Sequence, residues 1–131
     1  LGLACIGLAV APCEQRFYAA GHPPKSACLH DEYEWWDVQL NRAYQVLMKE
    51  TKQADAVDKN RVFSDVDSLR QMQWAWLGYR DAICHFSYLR FGGGTAGTTG
   101  EAECLPLLTG RETLFLTSFT VRGAGRILGQ L

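Results

Sequence analysis

The sequence predicts an all-α protein: a small antiparallel helical bundle with two long helices and a third, shorter one, stapled by disulfides. Three observations predict it. Apolar residues recur at steps of three and four through two stretches of roughly 25 residues each. No stretch sustains the period-two alternation of a half-buried strand. Five cysteines stand in 131 residues, none in a C-x-x-C pair, which favours staples in an oxidising compartment over metal ligands.

Residues 1–27 read as an apolar, then irregular, N-terminal segment. Leu1 to Ala11 is almost wholly small and apolar, and Ala9-Val10-Ala11 resembles a signal-peptidase site. The stretch is either the tail of an export signal or a short buried helix. Leu3-Ala4-Cys5 has a lipobox character that would make Cys5 a lipid anchor, although Gly2 stands where a large aliphatic residue is usual. Gly21, Pro23 and Pro24 then break regular structure across residues 14–27.

The first long helix is expected from Leu29 to Gln53, on the stripe Leu29, Tyr33, Trp36, Leu40, Ala43 and Leu47. Ala54 to Asn60 shows no stripe and reads as a connection. Ser64 or Asp65 caps the second helix, which runs to Arg90 on Val66, Leu69, Met72, Trp76, Tyr79, Ile83 and Phe86. The run Gly92 to Gly100 holds too many glycines for a helix and reads as a flexible loop. A third helix starts near Cys104 or Leu105, with Pro106 in its first turn and Leu108, Phe115 and Phe119 on its apolar side. Residues 28–122 form the helical domain, and the tail 123–131 frays. On this layout Cys84 pairs with Cys104 across the glycine loop, and Cys13 with Cys28. Cys5 is left unpaired or paired outside the chain.

Charge and hydropathy exclude several function classes. Thirteen basic against 14 acidic residues leave a net charge of −1 and no footprint for nucleic acid. No apolar run approaches the ~20 residues needed to span a bilayer. The glycine run lacks the G-K-[ST] ending of a phosphate loop. No metal, cofactor or catalytic constellation can be assembled from spacing, so the chain reads as a non-enzyme. Asp81 and His85, four apart, read as a solvated pair.

Other side chains suggest packing or binding roles. Trp36 and Trp76 lie on the stripes, while Trp35 and Trp74 point about 100° away, toward the edges or a binding surface. Arg80 lies four residues from Trp76, where the guanidinium can stack on the indole. Reaching between helices toward Asp37 or a nearby carbonyl, it would form a polar seam with Asn41 and Tyr44, while Gln73 shares its stripe on the second helix. Asp31, Glu32, Glu34 and Asp37 surround Trp35. They are either an acidic first turn complementing the helix dipole or a patch for a basic partner.

The strings Asp37-Val38-Gln39-Leu40-Asn41-Arg42-Ala43-Tyr44 with Leu47, and Gln73-Trp74-Ala75-Trp76-Leu77-Gly78-Tyr79-Arg80-Asp81-Ala82-Ile83-Cys84, stand in order. With Cys104 before a final helix, they resemble the bacterial secreted LprI-like (YecT-like) domain family. That pattern is D-x-x-L-N-x-x-Y-x-x-L, then Q-x-x-W-x-x-Y-R-D-A-x-C. The likeness covers about residues 28–120. One departure is that Thr109 is followed by Arg111 two residues on, where the family places Arg three residues after Thr.

The resemblance implies an exported, non-catalytic module, periplasmic or secreted, that binds a protein partner and inhibits lysozyme. Contacts are expected from Asp31, Glu32, Glu34 and Trp35 and from Thr95, Thr98, Glu101 and Glu103 in the glycine loop. The contrasting reading is a cell-envelope structural or stress module that binds peptidoglycan or another envelope protein without inhibition.

Overall fold

The computed structural model describes residues 2–18 and 25–121. After a single 3-10 turn at Leu3–Cys5 come four helices: α1 (Val10–Tyr18), α2 (Lys25–Val57), α3 (Asp65–Arg90) and α4 (Gly94–Phe119). The described residues contain no strand. α2, α3 and α4 form the antiparallel bundle, and α1 packs on α2.

α2 is 33 residues long and holds neither glycine nor proline, so nothing interrupts it for about 50 Å. It outruns the apolar stripe at both ends. Residues 54–57, expected as a connection, stay helical, and Asp55 there serves the next helix. Its carboxylate accepts the Ser64 hydroxyl at 2.8 Å and the backbone N–H groups of Asp65 at 2.8 Å and Val66 at 3.1 Å. Ser64 is the N-cap of α3, its Oγ accepting from Asp67 N–H at 3.2 Å.

The inward stripe of α3 is Leu69, Trp76, Arg80 and Cys84, with Met72 and Gln73 beside it. Tyr79 and Phe86, expected on that stripe, are instead 56% and 60% exposed. The buried line keeps the 3.6 period but continues through Arg80 and the disulfide. Trp74, Tyr79, Phe86 and Leu89 are left on the outside.

The largest departure lies at the glycines. The turn between α3 and α4 is only residues 91–93, and α4 begins at Gly94 rather than near Cys104. It is therefore as long as α3, at 26 residues each, and no loop spans 92–100. Gly92, Gly93 and Gly94 take positive φ (87°, 69° and 58°), which reverses the chain tightly. The later glycines serve close packing. A Cβ on Gly97 would stand 2.6 Å from the Tyr88 carbonyl oxygen, and one on Gly100 2.5 Å from the Phe91 ring. Contact with α3 thus offsets the low helix propensity. Thr98 and Thr99 hydroxyls donate to the carbonyls of Gly94 and Thr95 at 2.9 and 3.1 Å. Pro106 consequently sits inside α4, where it is buried and lacks an N–H for the Ala102 carbonyl.

Two clusters fill the interior. Leu40, Leu47, Met48, Leu69 and Leu116 form one, flanked by Ala43, Tyr44, Val66, Met72 and Trp76. Burying each such side chain contributes about 1.5–3 kcal/mol. The other is Val10, Cys13, Cys28 and Leu29 with Ala102 against it. Trp36 is 1% exposed, and at this level α4 presents Gly110. A Cβ there would meet Ile6 Cγ1 at 2.8 Å and Trp36 Cε2 at 3.1 Å.

Cys13–Cys28 joins α1 to α2 and Cys84–Cys104 joins α3 to α4, as the sequence led one to expect. Cys5 is unpaired and half-buried. Residues 14–18, expected to be irregular, belong to α1, and 25–27 to α2. The breakers Gly21, Pro23 and Pro24, like the tail 123–131, lie outside the described residues. Among the described residues, no helix is long and apolar enough to cross a membrane.

Candidate functional site at the disulfide-bearing end

Because α3 runs against α2 and α4, the start of α2, the end of α3 and the start of α4 meet at one end of the bundle. Both disulfides lie there. So do the two stretches expected to make contacts, around Asp31–Trp35 and around Thr95–Glu103. Lys25 pairs with Glu103 at 3.1 Å across the α2–α4 seam. Beside that pair, His30, Tyr33, Thr98 and Glu101 line a groove of about 230 Å³. Of the expected contact residues, Thr98 and Glu101 line that groove, whereas Asp31 and Trp35 line a different hollow, against the N-terminal segment.

Their roles divide on inspection. Thr95, Thr98 and Glu103 are exposed and Glu101 is half-buried, all on a helix rather than on a mobile loop. Asp31 and Glu34 are exposed, and Glu34 accepts from His30 Nε2 at 3.1 Å. Trp35 is 47% exposed and packs edge-on to Trp36 with ring centres 4.9 Å apart. Asp31, Glu32, Glu34 and Asp37 are not a first turn, since α2 starts at Lys25 and its first turn holds no acid.

Glu32 is not a surface group at all. It is 5% exposed, and its Oε1 accepts from Gly7 N–H at 2.8 Å and Ala9 N–H at 3.3 Å. The carboxylate holds the N-terminal segment against α2. That fold-back closes a second hollow of about 380 Å³, lined by Trp35, Trp36, Leu8, Cys5 and the Cys13–Cys28 bridge among others.

Arg80 does not reach Asp37. It is 8% exposed, its guanidinium lying 5.1 Å from the Trp76 ring centre and 5.6 Å from that of Tyr33. Its Nε and Nη2 both donate to Asp81 Oδ1, at 3.0 and 2.9 Å. The adjacent carboxylate is nearer than one on another helix, so the seam is a cation between two aromatic faces. Asp37 is half-buried, Asn41 exposed, and Tyr44 packs on the core with Leu40. Gln73 is half-buried. His85 stacks on Tyr88, with ring centres 6.3 Å apart, while Asp81 turns to Arg80.

Sequence reasoning missed Glu112. It lies three residues after Thr109, where the family pattern places Arg, while Arg111 points outward and is exposed. Glu112 is 9% exposed, and burial raises its carboxyl to about 7. The stripe Thr109, Glu112, Thr113 and Leu116, stepping by three, one and three, was the available signal. Thr113 Oγ1 donates to the Thr109 carbonyl at 2.8 Å and lies 3.4 Å from that of Trp36. No group of three or more His, Cys, Asp or Glu among the described residues could hold a metal ion.

The fold and this end define a disulfide-stapled helical module. Residues 18–116 match the family Lysozyme inhibitor LprI. The chain belongs to that family. A relative, Uncharacterized protein R02472 of Rhizobium meliloti (strain 1021), is 27% identical over 89 residues. That match covers 66% of this chain and 64% of the relative, so the chain spans less than two thirds of the relative's length. No solved structure matches it. Two disulfides and the family suggest an extracytoplasmic protein.

Proposed function

We propose that this protein is an exported, non-catalytic inhibitor that binds lysozyme, or a closely similar basic enzyme, through the disulfide-bearing end of the bundle. The carrying observation is that a chain of the LprI family sets Thr98 and Glu101 of α4 beside His30 and Tyr33 of α2 in one groove at that end, while Asp31 and Trp35 line a separate hollow of the same helix. A half-exposed tryptophan among carboxylates supplies both an anchor and a field that attracts a cation-rich partner. Both helices are stapled at this end, which reduces the ordering cost of binding.

The test is lysozyme activity on cell-wall substrate, titrated with oxidised protein, Trp35→Ala and the double variant Glu34→Lys/Glu101→Lys. Stoichiometric inhibition that weakens at least tenfold in either variant, and weakens with salt, supports the reading. No inhibition by the folded wild type at high micromolar concentration overturns it. Retention on insoluble wall material would then favour a peptidoglycan-binding envelope module.

A further inference from the structure

We propose that the outer face of α3 is a self-association surface on which a second copy of this chain docks, the two α3 helices running antiparallel about a two-fold axis. The face is distinct from the groove between α2 and α4, so it stands or falls apart from lysozyme binding.

α3 carries two stripes. Leu69, Trp76, Arg80 and Cys84 point inward. Ala75, Tyr79, Ala82, Phe86 and Leu89 are all exposed, at successive steps of four, three, four and three. Steps that alternate in this way are the heptad seam of a helix pair, here two heptads long. The chain leaves that seam open to solvent.

Residue size selects a second copy and its direction. The large Tyr79 and Phe86 hold one heptad position, and the small Ala75 and Ala82 hold the other. In an antiparallel pair those two positions face each other across the seam. Tyr79 then lies over the partner's Ala82, and Phe86 over the partner's Ala75. The two-fold axis repeats both contacts, so the face complements itself. A parallel pair would set tyrosine on tyrosine and phenylalanine on phenylalanine, with the alanines facing a gap. It would also bring two exposed Arg90 cations to one end, whereas the antiparallel pair holds them about 28 Å apart.

Gly78 is an independent sign of close approach. A Cβ on Gly97, Gly100 or Gly110 would collide within the chain, but one on Gly78 would meet nothing within 4 Å. Its cost to helix propensity therefore has no offset inside the molecule. A bare backbone beside the seam lets a second helix come in at the short end of the usual interaxial range, about 8 Å.

The area fits a reversible dimer. Tyr79 is 56%, Phe86 60% and Leu89 57% exposed, and Trp74 at the border is 79% exposed. These side chains offer about 500 Å² on one protomer, so a pair hides roughly 1,000 Å². That is the low end for a specific interface and corresponds to a dissociation constant of about 1–100 µM.

The experiment is sedimentation equilibrium of the oxidised full chain from about 1 µM to about 1 mM, carrying Cys5→Ser so that no intermolecular disulfide contributes. A reversible dimer in the stated range is expected. Ala82→Glu sets a carboxylate against the partner's Tyr79 and should weaken pairing at least about tenfold, with circular dichroism unchanged. Gly78→Gln should keep or raise the melting temperature of the dilute protein yet weaken pairing at least about fivefold. Spin labels at Arg90→Cys read the direction: about 28 Å between backbones when antiparallel, under about 15 Å when parallel. A monomer at about 1 mM overturns the proposal and leaves the face to a different protein. So does a dimer that Ala82→Glu leaves intact, or a parallel pair.

Discussion

Asp55, two residues before the end of α2, receives the hydroxyl of Ser64, the residue that caps α3, at 2.8 Å. One carboxylate therefore orders the cap and also takes the first two backbone N–H groups of α3. Those hydrogen bonds, from Asp65 first, then Val66 and Ser64, hold the Asp55 carboxyl below its ordinary value of 3.8. Its stabilising effect is complete above the unfolded value and is lost as pH falls through the lower folded one. Asp55→Ala should lower the melting temperature at pH 7 and speed amide exchange at residues 65–67. The difference from wild type should shrink in strong acid. An unchanged exchange rate at Asp65 would refute this role.

Glu112 gives the opposite slope. Burial raises its carboxyl from 4.5 to about 7. The folded state then keeps a proton that the unfolded state has released, so stability falls as pH rises from about 4.5 to about 7. Below that window the penalty is absent, and above it the penalty is full. Glu112→Gln should remove the slope and gain about 1–3 kcal/mol at pH 8, after allowing for partial solvent screening. Urea unfolding of both proteins at pH 5 and pH 8 measures it. A slope that persists in Glu112→Gln would assign it to another group.

Gly97 and Gly100 should respond differently to alanine. At Gly97 the new methyl meets a backbone oxygen that cannot move without the α3–α4 turn moving too. About 1–3 kcal/mol of destabilisation follows. At Gly100 it meets the ring of Phe91, which is 61% exposed and can rotate away. The gain in helix propensity, about 1 kcal/mol, then largely offsets the clash. Chemical denaturation of the two single variants should rank them in that order, and a reversed order would contradict the packing described.

Arg80 should matter through its faces more than through its charge. Arg80→Ala removes contact with Tyr33 and Trp76 and should cost about 2 kcal/mol. Asp81→Asn keeps an acceptor beside the guanidinium and should change stability by under about 1 kcal/mol, since Asp81 is exposed. Arg80→Lys should fall between them, because an ammonium does not stack as a plane. Thermal melts of the three variants decide it. Equal losses for Arg80→Ala and Asp81→Asn would make the ion pair the operative contact.

What could be read from the sequence was local. The stripe from Leu29 to Leu47, a cap at Ser64 or Asp65 and the two cysteine pairings depend on periodicity and on chain distance, both visible in one dimension. The glycine run was misread because propensity describes an isolated helix, whereas Gly97 and Gly100 are helical through contact with Tyr88 and Phe91. Glu32 was misread because its burial depends on the backbone of Gly7 and Ala9 folding back, which no spacing encodes. Beyond Trp76 the stripe of α3 continues on Arg80 and Cys84, so an apolar pattern alone pointed to Tyr79 and Phe86. The candidate contact residues were picked out singly. What the sequence could not show was that α2 and α4 bring them to one end.

The disulfides have a topological consequence. One lies wholly before the α2–α3 connection and the other wholly after it, so no covalent bridge joins the two halves of the chain. The halves meet through non-covalent contacts alone, chiefly Leu40, Leu47 and Met48 on one side against Leu69 and Leu116 on the other, with polar contacts such as Lys25–Glu103 beside them. If the connection at residues 58–63 straightened, two molecules could trade halves and rebuild both interiors with every sulfur bond intact. Such an intertwined pair would be invisible to a reducing gel and to thiol counting alike.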